Sequence, residues 1–240
     1  MVSARANTKN RLLAALQPRD FALLSAGFET VTLKTGDVLF RPGENVECVH
    51  FPEPGTIAAL VLDLRDGAIS EAAMVGQEGA LGGIVSEGDK PAFATGVVQI
   101  GGGAQRLSIE LFDRAKARSP AMRDHFARYA DCLLAQVLQS TACNAVHDLD
   151  ARLARWLLTL RDRLESDEIG VTQDFIAQML GVHRPYATRI IGDLERTGAI
   201  RRGRANVTVV DVRRLELQAC ECYGYLRRHF ERLLPGVYPG

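Results

Sequence analysis

Residues 171–198, with the sequence VTQDFIAQMLGVHRPYATRIIGDLERTG, constrain the fold more than any other part of the chain. Apolar residues recur there at helical spacing in two short runs, and Gly181 lies between them where a helix ends in a left-handed C-cap. Thr172 is a suitable N-cap for the first run. This pattern predicts a helix-turn-helix, whose two helices must approach closely. The residues predicted to face inward are Ile176, Ala177, Leu180, Ala187, Ile190, Ile191 and Leu194.

Residues 199–210 follow this motif and are typical of a β-hairpin with a basic tip. The segment from Val207 to Val210 is β-branched throughout. Arg201, Arg202 and Arg204 lie near the predicted turn. A hairpin after the second helix makes a winged helix, a fold that presents its second helix to the major groove of DNA. An ordinary helical hairpin followed by a surface turn is the alternative, and the three arginines favour DNA binding over it.

Composition is compatible with two modest domains in 240 residues. The chain is 47% apolar and 24% charged, which is ordinary for a globular protein. Because it has no long apolar run and no convincing signal peptide, we expect a cytoplasmic protein that does not enter a membrane. The net charge is zero, but residues 151–240 carry a net charge of +4 and all 15 of their cations are arginine. Arginine is suited to bidentate contacts with guanine and phosphate.

The chain before the winged helix divides into a β region and helices. Residues 11–28 have a helical pattern, and from Thr30 to about Leu107 short β-prone runs alternate with glycines. Such runs predict an all-β barrel or roll. Residues 109–118 are predicted to form a short helix, and residues 120–146 a long one that begins with proline in its first turn. Beyond the wing, residues 212–234 are predicted to form a single helix.

One stripe of the long helix has the 4, 3, 4, 3, 4 spacing of a coiled-coil seam. The spacing predicts that two chains pair along this stripe, and Leu134, Leu138 and Thr141 lie beside it. A stripe that packs only on the β region of its own chain is the alternative. The predicted seam consists of Phe126, Ala130, Leu133, Val137, Ser140 and Asn144.

The order of these parts resembles the Crp/Fnr family of transcription regulators. The segment GDVLFRPGE at residues 36–44 resembles the turn of a cyclic-nucleotide-binding-like roll, and residues 172–200 resemble the helix-turn-helix of the family. The resemblance covers roughly residues 20–212. It implies an α+β fold with an N-terminal β-roll, a long dimerisation helix and a C-terminal winged helix-turn-helix. The expected division is a sensor-like roll with an N-terminal helix at 1–119, the dimerisation helix and hinge at 120–150, and the DNA-binding domain with a C-terminal helix at 151–240.

By resemblance the chain is a homodimeric, sequence-specific DNA-binding regulator. Arg184 and Arg189 are expected to reach base edges. Thr172, Gln173 and His183 are expected to contact phosphates, and the three arginines of the wing to clamp the DNA backbone. The roles of Tyr186 and Thr188 stay open, and simple packing is the alternative for Tyr186. His183 stands at the N-cap of the second helix, where the family usually has serine. The expected partners are double-stranded DNA with a pseudo-palindromic operator, a second copy of the chain, RNA polymerase and an unidentified small effector. The predicted DNA contacts are Thr172, Gln173, His183, Arg184, Tyr186, Thr188, Arg189, Arg201, Arg202 and Arg204.

The roll departs from the members that bind cyclic AMP. Those members hold the ribose and phosphate with a Gly-Glu and an Arg-Ser pair, and no cation stands here between Lys90 and Arg106. Where they offer Thr-Ser to the base, this chain has Val137-Leu138, unless the alignment shifts to Ser140-Thr141. Cyclic AMP is therefore not the expected effector. The operator, the effector and the choice between activation and repression stay open.

The cysteines and histidines indicate neither a cofactor nor an enzyme. The five histidines are scattered and join no nucleophile motif, so we expect no catalysis. Five dispersed cysteines predict reduced thiols, and residues 1–47 lack the cysteine cluster of iron–sulfur members. The Cys48-Val49-His50 segment has the spacing of a haem-ligand pair but lies in an early strand, and Cys220-x-Cys222 is too sparse for a metal site. Neither a metal nor a cofactor is therefore predicted. A winged-helix module that binds protein, and a regulator controlled by a small ligand or a redox signal, remain the alternatives.

Overall fold

The computed structural model describes residues 8–63, 69–84 and 88–239, and its N-terminal half is a β-roll flanked by helices. Where one helix is predicted over residues 11–28, Pro18 begins a second helix because its ring suits a first turn and not a helix interior. The helices of this half are α1 (Arg11–Ala14), α2 (Pro18–Ser25) and α3 (Ile109–Arg118). The strands are β1 (Glu29–Leu33), β2 (Val38–Phe40), β3 (Cys48–Pro52), β4 (Ile57–Asp63), β5 (Ile69–Val75), β6 (Thr95–Ile100) and β7 (Gly102–Ser108).

Two antiparallel sheets form the roll. One has the order β1-β7-β3 and the other β2-β6-β4-β5. Asn10 ties the N-terminal helix to this roll, because its buried side-chain amide donates to the carbonyls of Pro52 and Gly79, each at 2.9 Å. The predicted fold class of β-roll and helix-turn-helix is confirmed, and among the described residues no helix combines the length and apolar character needed to cross a bilayer.

The long helix α4 (Pro120–Val146) lies against the roll. Ser119 caps it by accepting a hydrogen bond from the Met122 amide at 3.1 Å, and proline occupies the first turn as predicted. Phe126 is fully buried in its own chain, with its ring centroid 4.7 Å from that of Phe112 and 6.3 Å from that of Phe51. Its predicted place in a seam between two chains is therefore wrong, because the aromatic core of the roll already covers its side chain.

The C-terminal half holds the second core. Its elements are α5 (Leu149–Leu164), β8 (Glu168–Ile169), α6 (Gln173–Leu180), α7 (Arg184–Arg196), β9 (Ile200–Arg202), β10 (Val207–Val209), α8 (Val212–Gln218) and α9 (Cys222–Leu233). Strands β9 and β10 form the predicted hairpin, and β8 pairs with the other edge of β10. All seven residues that the sequence pattern placed on the inner face of the helix-turn-helix are buried.

The single helix predicted over residues 212–234 is broken. Ala219 has extended backbone angles of φ −79° and ψ 149°, so α8 ends there and α9 starts at Cys222. The two helices pack differently. Helix α8 contacts α5 of the winged helix, whereas Leu226 and Phe230 of α9 belong to the same apolar cluster as the roll and α4. The chain therefore returns from the winged helix to the N-terminal half.

A buried arginine links the roll, α4, α5 and the C-terminal segment. Arg163 has no exposed surface, and its Nε donates to Glu78 Oε1 at 2.7 Å. Its two Nη atoms donate to Gln136 Oε1 at 2.9 Å and to the Tyr238 hydroxyl at 3.1 Å. Because a buried charge is tolerated only when it is paired and hydrogen-bonded, this network holds the four segments in one arrangement.

Candidate DNA-binding surface and a cysteine–histidine cluster

The helix-turn-helix is held in place by local capping and by its buried face. The Thr172 side chain accepts from the Phe175 amide at 3.2 Å, and Gly181 ends α6 with a left-handed φ of 70°. Pro185 lies in the first turn of α7, and the His183 side chain makes no capping hydrogen bond there. The His183 ring therefore does not cap the helix, and it lies exposed at the N-terminus of α7.

The outward side of α7 carries two exposed arginines. Arg184 forms an ion pair with Asp174 across the turn, with Nε and Oδ1 3.0 Å apart. The Arg189 guanidinium lies 4.6 Å from the ring centroid of Tyr186, which is a cation–π contact. Both arginines thus contact a neighbouring side chain while they remain open to solvent.

The remaining predicted contacts lie around α7. Thr188 donates to Gln173 Oε1 at 2.9 Å, which links the two helices of the motif. In the wing, Arg202 pairs with Glu195 at 2.8 Å. Arg201 and Arg204 are exposed and form no ion pair with any residue that the structure describes. Of the ten predicted DNA contacts, Gln173 and Thr188 are half-buried and the other eight are exposed.

The roll contains a cavity of about 400 Å³ against α4. Apolar side chains dominate its walls, among them Phe40, Leu60 and Leu81 from the roll and the seam residues Leu133 and Val137 from α4. Lys90 also lines the cavity, but its Nζ is paired with Asp113 Oδ2 at 2.6 Å. No arginine lines the described part of this cavity, and the neighbouring residues 85–87 lie outside the described residues.

A cluster of four metal-ligating side chains lies where α4 ends. Cys143, His147, Cys220 and Cys222 each offer one ligand atom, and these atoms all lie within 4.8 Å of one another. The three cysteines are buried, and they pack together with Ala151 at the start of α5. A hydrogen bond with Cys220 lowers the pKa of the Cys143 thiol below its usual range.

The sequence alone predicts no metal site, and this cluster was therefore not expected. The four residues form two pairs that lie far apart in the sequence. Cys143 and His147 stand four residues apart, which places them on one face of a helix. The Cys220-x-Cys222 pair is 77 residues further along, counted from Cys143 to Cys220, and only the break between α8 and α9 brings it to the end of α4.

Comparison with known proteins agrees with this geometry. Residues 151–217 match the Crp-like helix-turn-helix domain model, and no curated protein sequence matches the chain. A CRP-family regulator from Thermus thermophilus is similar in structure at 23% identity, with a TM-score of 0.66, and the match covers 79% of this chain and 96% of that one. FixK2 from Bradyrhizobium japonicum is 14% identical, with a TM-score of 0.70 and coverages of 80% and 98%.

A third similar structure is CLP from Xanthomonas campestris, described as a c-di-GMP responsive global regulator. It is 16% identical, with a TM-score of 0.65, and the match covers 80% of this chain and 99% of that one. At these identities the solved structures show a shared fold, and the domain model identifies its C-terminal part. The chain thus carries a Crp-like helix-turn-helix domain at residues 151–217 and has the fold of the CRP/FNR transcriptional regulators.

Proposed function

We propose that the protein is a homodimeric, sequence-specific DNA-binding transcription regulator and not an enzyme. The observation that carries the proposal is the exposure of Arg184 and Arg189 on α7 beside the basic wing, within a Crp-like helix-turn-helix domain. A recognition helix reads base edges from the major groove, and neighbouring cations bind the phosphates. In this arrangement the two arginines of α7 specify the sequence, and Arg201, Arg202 and Arg204 hold the backbone.

The ion pairs on this surface are weak enough to be exchanged for DNA. Arg184 and its partner Asp174 are both well exposed, and an exposed pair contributes only about 0–1 kcal/mol. A bidentate contact from arginine to guanine discriminates by about 1–3 kcal/mol. Because the contact with guanine is worth more than the ion pair, Arg184 can leave Asp174 when a guanine is offered.

Arg189 provides the sharpest test of base recognition. We expect Arg189→Ala to weaken binding to a specific site by about 1–3 kcal/mol and to relax the preference at one base position. Arg204→Ala, at the wing tip, should weaken all sequences similarly and reduce the slope of log affinity against log salt by about one. Fluorescence anisotropy with specific and scrambled duplexes at several salt concentrations measures both effects.

Arg118→Ala is the matched control. Arg118 is exposed at the end of α3, so its substitution removes the same charge from the other half of the chain. It should leave both the affinity and the salt slope close to those of the unmodified protein. If Arg189→Ala and Arg204→Ala lose the same affinity on every duplex, Arg189 does not read bases. If the unmodified protein shows no salt-dependent affinity for any duplex, the winged helix binds protein instead of DNA.

We further propose that two chains pair through the exposed face of α4. Leu134 and Leu138 are 56% and 62% exposed, and Thr141 and Ala145 continue the same stripe. The stripe keeps the coiled-coil spacing of the predicted seam but is displaced by one residue, so that Leu133 and Val137 line the roll cavity. Large apolar side chains exposed along one helix mark an interaction surface, and a second copy of α4 presents the matching face.

We also propose that domain boundaries lie after residues 119 and 150. RNA polymerase is a further proposed partner. The packing of α9 changes the proposed extent of the DNA-binding domain. Helix α9 packs with the roll and α4, so it belongs with the N-terminal half. The DNA-binding unit is then residues 151–217, the extent of the helix-turn-helix domain match. The C-terminal helix acts as a strap between that unit and the dimerisation helix.

Cyclic AMP is not the proposed effector. The cavity in the roll has apolar walls, and its lysine is already paired with Asp113, so a phosphate would meet no free guanidinium there. We expect calorimetry with millimolar cyclic AMP to show no saturable heat, and the same result for c-di-GMP, to which the X. campestris relative responds. Micromolar binding of either nucleotide, together with a rise in operator affinity, would contradict this assignment.

A further inference from the structure

The cysteine–histidine cluster has the geometry of a single tetrahedral metal ion. With metal–sulfur and metal–nitrogen bonds of about 2.3 and 2.05 Å, neighbouring ligands of a tetrahedral zinc lie about 3.8 Å apart for two sulfurs and about 3.6 Å apart for sulfur and nitrogen. The Sγ atoms of Cys143 and Cys220 are 3.6 Å apart, and Cys222 Sγ is 3.5 Å from His147 Nδ1. Two of the six edges of such a tetrahedron thus already have nearly the required length, and the other ligand atoms lie within 4.8 Å of one another.

The surroundings of the cluster are those of a metal site. His147 directs Nδ1 towards the cysteines, while its Nε2 lies 3.4 Å from a carboxylate oxygen of Glu221. A ligating histidine commonly donates its other ring N–H to a carboxylate, which fixes the ring and its tautomer. Gln139 Nε2 also donates to Cys222 Sγ at 3.0 Å, a contact that a thiolate accepts well.

Positive charge is provided beside the cluster. Three thiolates and a neutral imidazole around a divalent ion carry a net charge of −1. Arg152 and Arg155, in the first turns of α5, interact electrostatically with Cys143, and their buried Nε atoms have no hydrogen-bond partner among the described residues. These two guanidinium groups offset the charge that a loaded site would bury.

The ligand set selects the class of metal. Three cysteines and one histidine in a closed tetrahedron are typical of structural zinc, whereas magnesium and calcium prefer oxygen ligands. An iron–sulfur cluster needs its terminal ligands farther apart than a single ion does, because several irons lie between them. All four ligand positions are filled by side chains, so the site has no open position for catalysis.

We propose that Cys143, His147, Cys220 and Cys222 bind one zinc ion that fastens the end of α4 to the link between α8 and α9. Binding releases the three thiol protons to solvent, and the ion replaces them. The site also includes the start of α5, through the packing of Ala151 on the cysteines. The zinc therefore closes the hinge at which the chain passes from the dimerisation helix into the helix-turn-helix domain, and holds that domain in one orientation.

The test measures metal in the full chain, purified without chelator and without a histidine tag. Mass spectrometry with an inductively coupled plasma should find about one zinc per chain. Cys143→Ser and Cys220→Ser should each lower the zinc content at least about tenfold. Cys48→Ser is the matched control, because Cys48 lies on β3 outside the cluster and should keep the full content. This readout needs no DNA, so it stands apart from the proposed regulatory function.

A second variant keeps the proposal testable if the cysteine variants do not fold. Glu221→Ala removes only an exposed side chain, so the protein should stay folded while its zinc affinity falls about 10- to 100-fold in a competition with a chromophoric chelator. Replacement of zinc by cobalt should give the absorption of a tetrahedral thiolate complex. The proposal is overturned if the reduced protein takes up neither zinc nor cobalt, if Cys143 and Cys220 form a disulfide instead, or if iron and acid-labile sulfide are found.

Discussion

We expect the Leu138→Glu variant to be a monomer. Leu138 lies in the middle of the exposed α4 stripe, so in a two-fold dimer the new carboxylate faces its own copy in a dry interface. Burial of unpaired charge costs several kcal/mol, and each 1.4 kcal/mol changes a dissociation constant tenfold. The dimer dissociation constant should therefore rise on the order of 100-fold or more. A monomer presents one recognition helix, so affinity for a two-half-site operator should fall far more than non-specific affinity.

Light scattering and sedimentation over a range of protein concentrations measure this effect. Leu217→Glu is the matched control, because Leu217 is 82% exposed on α8 and the substitution adds the same charge away from α4. The control should remain dimeric and should bind the operator normally. An intact Leu138→Glu dimer would show that the two-fold axis lies elsewhere and that the exposed leucines of α4 have another role.

Arg163→Met should be the most destabilising single substitution that we propose. It leaves the Glu78 carboxylate buried without its guanidinium partner and removes the hydrogen bonds to Gln136 and Tyr238. Loss of one member of a buried ion pair costs about 3–5 kcal/mol. The midpoint of urea unfolding should fall accordingly. The protein concentration must be the same for all variants, because the stability of a dimer depends on it.

Arg161→Met on the same helix is the control for this variant. Arg161 is partly exposed and pairs with the exposed Asp167 at 2.6 Å, and an exposed ion pair contributes about 0–1 kcal/mol. Arg161 also lies 3.9 Å from the buried Asp162, but that carboxylate keeps Arg227 at 3.7 Å when Arg161 is replaced. A double variant with Glu78→Gln added to Arg163→Met should recover part of the loss, because the uncompensated charge is then gone. Equal, small losses for Arg161→Met and Arg163→Met would show that the buried network does not hold the two halves together.

The helix-turn-helix could be predicted residue by residue because its determinants are local. Apolar spacing, the Thr172 cap and Gly181 act within a few residues, and the structure has the predicted inward face, cap and turn. The roll could be predicted only as a class of fold. The pairing of β7 with both β1 and β3 joins segments far apart in the chain, and periodicity carries no information about such partners.

Helix α4 shows how a periodic pattern can leave the orientation of a helix open. The 4, 3, 4 spacing that starts at Phe126 and the stripe one residue later, which includes Leu134 and Leu138, both carry large apolar side chains, so the spacing alone does not decide which stripe faces the roll. The structure decides it through Phe112 and Phe51, which enclose Phe126. The cysteine–histidine cluster was not predicted for a related reason, because it depends on a helix break at Ala219, and no glycine or proline stands there to indicate the break.

Selection of bound fragments from genomic DNA tests the central claim, sequence-specific DNA binding by a dimer, most directly. The dimeric protein should enrich a short pseudo-palindrome whose half-sites lie about one helical turn apart. At physiological salt it should bind that sequence at least about 10³-fold more tightly than a scrambled duplex, with or without an effector supplied by cell extract. If no motif is enriched under either condition, and specific and scrambled duplexes bind equally, the protein is not a sequence-specific regulator.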